Sequence, residues 1–242
     1  MALLIGTAGW SIPRDLADRF PAEGSSLERY SGRFPVAEIN SSFHRSHRHS
    51  TWQRWADSTP ADFRFSAKMP KTITHAAKLR DCEQLVDAFI GEASNLGPKL
   101  AVLLVQLPPK VAYDSDVAER FFHHLQARIR TPIACEPRHP SWFAADADVQ
   151  LRNLHVARVA ADPACCAGAD RPGGWRGLDY WRLHGSPVKY RSSYADRIPA
   201  YAAELARDPA PRDTWCIFDN TASSAATSDA FRLMAAVSGQ PG

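Results

Sequence analysis

Leu100-Ala-Val-Leu-Leu-Val-Gln-Leu-Pro-Pro109 leads through Ser115–Ile129 into Ile133-Ala-Cys-Glu136. The outer stretches are short apolar runs, and a polar group, Gln106 or Glu136, falls at or next to the end of each. Runs of this kind read as strands buried on both faces, as in a parallel sheet under helices. Between them Val117, Phe121, Leu125 and Ile129 recur every four residues, the register of a helix with one apolar face, and Ser115 stands where an N-cap belongs. Strand, helix and strand within 37 residues make a βαβ unit, whose strands lie parallel through a right-handed crossover.

The same alternation extends in both directions. Candidate strands are Leu3–Thr7, Val36–Asn40, Phe63–Lys68, Leu100–Leu107, Ile133–Glu136, Val156–Ala161, Tyr180–His184 and Thr214–Phe218, with helix-period segments between them. Eight units in 242 residues predict one α/β domain over residues 1–242, a single (βα)8 TIM-type barrel of parallel strands. Asp81–Gln84 reads as a capping box, with Leu85, Phe89 and Leu96 on one side and Gly97 as the stop. Ala226, Ala230, Leu233 and Val237 mark the buried face of the last helix. The sixth unit is the weakest, because Asp170–Gly177 is too short and Gly-rich for a standard helix.

Composition bounds the class. With 45% hydrophobic and 23% charged residues, the chain has enough apolar surface to fold, which excludes disorder as its main state. A net charge of +3 is modest for a dedicated nucleic-acid binder. No run approaches the roughly 18 apolar residues of a membrane span, and the start has no signal-peptide pattern, so a cytoplasmic protein is expected. Cys82, Cys135, Cys165, Cys166 and Cys216 show no Cys-x-x-Cys spacing and read as reduced thiols.

In such a barrel the chemistry sits at the C-terminal ends of the strands. Polar groups collect there: Glu38 and Asn40, Lys68, Gln106, Glu136 with Arg138 and His139, Asp162, Arg182 with His184, and Asp219 with Asn220. They either cap the barrel in pairs, Glu38 with Lys68 and Glu136 with Arg182, or line a ligand pocket; convergence of so many favours the pocket. Glu38 and Glu136 raise a glycosidase-like carboxylate pair. Glu136, His139, Asp162, His184 and Asp219 raise a divalent-metal centre, although no spaced ligand motif supports one and no metal ligand is assigned. The loops His184–Pro187 and Asn220–Ser224, supplemented by Lys189, Tyr190, Arg191 and Tyr194, could cradle a phosphate. The loop His44-Arg45-Ser46-His47-Arg48-His49 is basic, and Trp10, Phe43, Trp142 and Tyr190 lie where they could stack on a sugar or base, with His75 near the rim. No Gly-x-Ser-x-Gly elbow, Walker loop or dinucleotide Gly-x-Gly-x-x-Gly occurs, so a cofactor is left unknown.

Six segments together resemble the YecE-like family of unknown function: Gly6-Thr-Ala-Gly-Trp10, Glu38-Ile-Asn-Ser-Ser-Phe43, Thr59-Pro-x-x-Phe-x-Phe65, Gln106-Leu-Pro-Pro109, Glu136-Pro-Arg-His-Pro-Ser-Trp142 and Arg182-Leu-His-Gly185. The resemblance spans essentially the whole chain. It implies a TIM-type barrel with a polar mouth and supplies no reaction. The chain departs from the family pattern at His44, Pro137, Asp219 and Ser224, where Tyr, Phe, Asn and Gly are usual.

The expectation is an enzyme acting on a small or polymeric anionic ligand, one carrying phosphate. Glu136, His184 and Glu38 are the candidate acid–base groups. Asn40, Lys68, Gln106, Arg138, His139, Arg182, Tyr190 and Asn220 are the candidate ligand-binding groups. The alternatives are a nucleic-acid-binding barrel that uses Arg45–Arg48, and a metal-dependent phosphodiester hydrolase.

Overall fold

In the computed structural model residues 2–207 and 212–239 are described. Ten strands form one sheet: β1 (Leu3–Ala8), β2 (Val36–Ile39), β3 (Arg64–Lys68), β4 (Leu100–Gln106), β5 (Ile133–Glu136), β6 (Val156–Arg158), β7 (Ala160–Asp162), β8 (Gly173–Gly174), β9 (Leu178–Leu183) and β10 (Asp213–Phe218). Their spatial order is β7-β9-β10-β1-β2-β3-β4-β5-β6-β8. Every pairing is parallel except β6 with β8. β6 bonds to β5 while β7, one residue beyond it, bonds to β9, so the sheet curls into a nearly closed barrel.

Among the described residues seven α-helices pack around the strands: α1 (Ser26–Ser31), α2 (His49–Asp57), α3 (Glu83–Ala93), α4 (Ser115–Arg128), α5 (Ala145–Asn153), α6 (Ile198–Arg207) and α7 (Ala225–Ser238). The strict eightfold repeat expected from the sequence is not met. The expected strand 156–161 is interrupted at Val159, whose N–H bonds to Cys135 O of the neighbouring strand. No α-helix lies between β7 and β9; Gly173 and Gly174 pair there instead, and Gly173 lies so close to the Arg158 guanidinium that a Cβ would meet it at 2.2 Å.

Helix boundaries moved for local reasons. α4 is capped by Asp114, whose carboxylate accepts from Val117 N at 3.1 Å, and not by Ser115. The Asp81–Gln84 capping box does not form: Asp81 is in the left-handed region at φ 46°, and α3 starts at Glu83. Its buried face is Val86, Phe89, Ile90 and Ala93, which leaves Leu85 exposed. α7 buries Ala226, Ala230 and Leu233, but Val237 in its last turn is exposed.

The strand period of two sorts the core into two apolar sets. Val36, Val102, Leu104, Ala134, Tyr180, Trp215 and Ile217 fill the barrel. Ile39, Phe65, Leu103, Val105, Cys135, Leu183 and Phe218 face the helices. One inward step further along the strands come Glu38, Lys68, Gln106, Glu136, Arg182 and, past β10, Asp219. The same alternation that builds the core therefore sets a charged layer on top of it. Within β1, Gly6 lets the first residue of β2 approach; a Cβ there would lie 2.2 Å from Val36 O.

Ser224, which departs from the family's usual Gly, joins the turn Thr221–Ser223 to α7 at φ 63°. The left-handed conformation costs a non-Gly residue about 1–2 kcal/mol, part of which Gly loses again through unfolded-chain entropy. Ser224→Gly is expected to stabilise by about 0.5–1 kcal/mol, a rise of about 2 °C in Tm by calorimetry. An unchanged or lower Tm would show that the strain is relieved elsewhere.

Candidate functional site

Arg182 is the centre of the charged layer. It is fully buried. Its Nε and Nη2 donate to Glu38 Oε2 and Oε1 at 3.0 and 2.6 Å, a bidentate clamp. Nη1 donates to Glu136 Oε2 at 2.6 Å, and Nη2 also reaches Asp219 Oδ2 at 3.0 Å. One guanidinium thus compensates three buried carboxylates, a geometry that suits its five fixed donors.

His184 lies between two of those carboxylates. Its Nδ1 is 2.9 Å from Asp219 Oδ2 and its Nε2 is 3.0 Å from Glu136 Oε1. A singly protonated ring can donate to only one of them, so the other contact needs a second proton, on the ring or on a carboxylate. Arg182 first, then Arg138 and His184, hold Glu136 well below the usual carboxylate range against the opposing effect of burial. Asp219 is lowered in the same way, by Arg182 and the His184 hydrogen bond. Tyr180 donates to Glu38 Oε2 at 3.0 Å and contacts Ser66 Oγ at 2.7 Å.

The rim is positive. Arg138, its side chain 17% exposed, contacts Glu136 Oε1 at 3.1 Å, and the Tyr190 hydroxyl faces it. Lys68 is 6% exposed and its Nζ lies 4.1 Å above the Phe43 ring, but it makes no ion pair or hydrogen bond with a described residue. Burial, then the Arg182 charge, lower it to about 8. His75 packs edge-on to Phe43 at 5.0 Å and is lowered by burial, Lys68 and Arg138.

The structure therefore gathers Glu38, Lys68, Gln106, Glu136, Arg138, Arg182 and His184 at one barrel end, but mostly engaged with one another. Glu136 pairs with Arg182 as expected from the sequence; Glu38 pairs with Arg182 and not with Lys68. Glu38 and Glu136 are bridged by Arg182 and do not flank an open cleft, which removes the basis for a glycosidase pair. Gln106 Nε2 donates to Leu107 O at 3.0 Å, which fixes the side chain by its amide nitrogen. Asn40 keeps its Oδ1 buried with no partner.

Other expected members leave the cluster. His139 Nδ1 accepts from Ser141 N and caps the turn Pro140–Phe143. Asp162 turns to Tyr194, Arg197 and Tyr201 of the α6 side. The five residues of the suggested metal centre are thus dispersed or already paired, and among the described residues no group of three or more His, Cys, Asp or Glu is arranged to hold a metal ion. Asn220 Nδ2 donates to Ser192 O and Asp229 Oδ2, tying the loop after β9 to α7. The expected phosphate cradle is consumed the same way: Ala222 N donates to Tyr190 O at 2.9 Å and Ser224 N to Thr221 O. Trp10 packs on Trp55, and Trp142 is buried with its indole N–H on Val111 O, so neither is free to stack. Tyr190 stays exposed at the rim with its ring 5.8 Å from that of His184.

Sequence reasoning does not single out Tyr180, and it weighs Asp219 only as a barrel-mouth carboxylate and a candidate metal ligand, not as a partner of Arg182 and His184. The signal for Tyr180 was present, because Tyr180, Arg182 and His184 alternate on one face of β9 and its extension.

A mostly parallel α/β barrel with ionisable side chains packed at the strand ends defines the class. The chain belongs to the family described as "Protein of unknown function DUF72", which it matches over residues 4–241. It is 29% identical to the UPF0759 protein YecE of Escherichia coli K12 over 213 residues, 86% of this chain and 72% of that protein. Among solved structures, a DUF72 family protein from Enterococcus faecalis superposes with a TM-score of 0.82 at 18% identity, covering 98% and 96% of the two chains. One from Thermotoga maritima superposes with a TM-score of 0.76 at 21% identity, covering 97% and 98%. At these identities the two structures speak for the fold. Among the described residues, no helix is long and apolar enough to cross a membrane.

Proposed function

We propose that the protein is an enzyme that works by acid–base chemistry on a phosphate-containing or other polyanionic ligand at the barrel mouth. In this reading residues 1–242 act as one domain of (βα)8 type, with β6 and β7 together serving as the sixth strand. The observation that carries the reading is the chain of contacts from rim to interior: Arg138 to Glu136 Oε1, Glu136 Oε1 to His184 Nε2, and His184 Nδ1 to Asp219. An anion drawn to Arg138 and Lys68 would meet a hydrogen-bonded group that already carries a mobile proton. His184 and Glu136 exchange that proton with the ligand; Asn40 and Gln106 orient it. Arg182 spends four of its five N–H groups on carboxylates, and Glu38 is held by Arg182 and Tyr180, so both act as positioning residues, which revises the expectation of Glu38 as an acid–base group and of Arg182 as a ligand contact.

Inorganic phosphate tests the reading. It should raise the Tm of the wild-type protein, and Arg138→Gln should weaken the apparent affinity by about 10-fold or more, the value of one charge-assisted hydrogen bond. Equal phosphate response in the two proteins would overturn it.

One observation favours a nucleic-acid ligand as a second reading. Arg45, Arg48 and Lys71 are exposed on the loops after β2 and β3. Arg45 and Lys71 border a groove of about 220 Å³ floored by Phe43, Leu85 and Phe89. Binding of a single-stranded oligonucleotide that weakens steeply with salt and is lost in Arg45→Ala/Lys71→Ala supports that reading; salt-independent or absent binding removes it.

A further inference from the structure

Lys68 is the cation of the mouth that the ion-pair network does not absorb. Glu38, Glu136 and Asp219 all lie near enough to act on it electrostatically, yet each is held by Arg182 at 2.6–3.0 Å. Lys68 instead rests its Nζ over the Phe43 face, at the end of β3 and at the edge of solvent. Beside it, the register that pairs Ile39 with Ala67 brings Asn40 level with Lys68 in the next step, and Asn40 Oδ1 is an acceptor with no partner. A desolvated amine next to a second cation and an unused hydrogen-bond acceptor is the arrangement of an activated nitrogen nucleophile.

We propose that Lys68 Nζ is a covalent nucleophile that forms a Schiff base with the carbonyl carbon of a small aldehyde or ketone bearing a phosphate or carboxylate group. The proposal rests on the anionic-ligand reading above and names the reacting part of that ligand. The anionic group lies against Arg138 and the carbonyl lies over Lys68. The unprotonated amine attacks: the C–N bond forms, the C=O π bond breaks, and an amine proton moves to the carbonyl oxygen to give a carbinolamine. The hydroxyl then leaves as water, taking one proton from the rim, while nitrogen loses its remaining proton, so that amine plus carbonyl give imine plus water. Asn40 Oδ1 accepts from the carbinolamine hydroxyl. The titratable and charged groups around the amine are Glu38, Glu136, Asp219, Arg182, Arg138 and His75. Burial first and then the Arg182 charge, against the opposing pull of the three carboxylates, leave Lys68 at about 8, so a far larger share of it is unprotonated near neutral pH than of an ordinary lysine.

The test is reductive trapping. The wild-type protein is incubated at pH 7.4 with glyoxylate or with glycolaldehyde phosphate, reduced with sodium borohydride, and mapped by peptide mass. The expected result is one dominant adduct on Lys68, formed at least about 10-fold faster than on the exposed Lys71, and slowed by inorganic phosphate. Lys68→Arg should lose that adduct while its far-ultraviolet circular dichroism stays native. Labelling spread over exposed lysines with none on Lys68 overturns the proposal, and this is read from the wild-type protein alone. Phosphate stabilisation that depends on Arg138, with no Lys68 adduct, ends the Schiff-base inference and leaves the anion reading standing. Loss of both ends both.

Discussion

Replacing Arg182 with Met is expected to unfold the protein at neutral pH, with part of the stability returning as the pH falls toward 5. The side chain is completely buried and holds Glu38, Glu136 and Asp219 at once. Removing one partner of a buried ion pair costs about 3–5 kcal/mol, because the remaining charge stays in a medium that solvates it poorly. Here three carboxylates lose their partner together, and about 3–5 kcal/mol already rivals the total stability of many domains. Without the guanidinium, burial raises the carboxyl pKa values above those of the unfolded chain. The folded state then binds more protons than the unfolded one, so stability increases as pH decreases. Urea midpoints of the variant between pH 7.5 and 5 check this. A variant as stable as wild type at pH 7 would show that Arg182 is dispensable to the fold and therefore open to a direct ligand role.

The wild-type protein is expected to show the opposite slope. Glu136 and Asp219 have folded pKa values below their unfolded ones. Their contribution is therefore complete above the unfolded carboxylate values near 4 and is lost as the pH falls through the depressed folded values. Because both carboxylates are depressed, full protonation removes both contributions together. Denaturation midpoints from pH 6 down to pH 2.5 should fall steeply below about pH 4. In Glu136→Gln the fall should be shallower, since an amide does not titrate. A flat wild-type profile would mean that the carboxylates gain nothing from Arg182 and His184 over their unfolded state.

Both predictions change what a variant of this site can report. Loss of ligand response in an Arg182 variant cannot separate unfolding from lost chemistry, because the residue holds the mouth together. Arg138 and Lys68 are the informative positions: each is at the rim, and Lys68 takes no part in the ion-pair network.

The barrel was legible because βαβ alternation is a local property. Leu100–Gln106, the helix on Val117, Phe121 and Leu125, and Ile133–Glu136 each announce their type within a few residues, and parallel pairing follows from the crossover between them. The clustering of Glu38, Lys68, Gln106, Glu136 and Arg182 was legible as well, since a period of two carries the inward face of each strand to its end. Helix caps were less so: Asp114 and Ser115 are neighbours with the same capping chemistry, and only the backbone path selects one.

What the sequence could not determine was which charges pair. Glu38 has a lysine on the adjacent strand, in nearly matching register, yet bonds to an arginine from across the barrel. That choice depends on the width of the ring, on the reach of the guanidinium, and on its ability to satisfy three carboxylates where an ammonium cannot present the same planar fork. His139, Asp162 and Asn220 were likewise equal in sequence to the residues that stayed in the cluster; partners brought near by the fold drew them away, the Ser141 N–H for His139, tyrosines for Asp162, and the Asp229 carboxylate for Asn220. The sequence by itself determined the alternating frame and the ring of polar groups at its end. Only the tertiary structure decided that Arg182 would neutralise most of that ring and leave Lys68 unpaired, because buried charge is balanced across space and not along the chain.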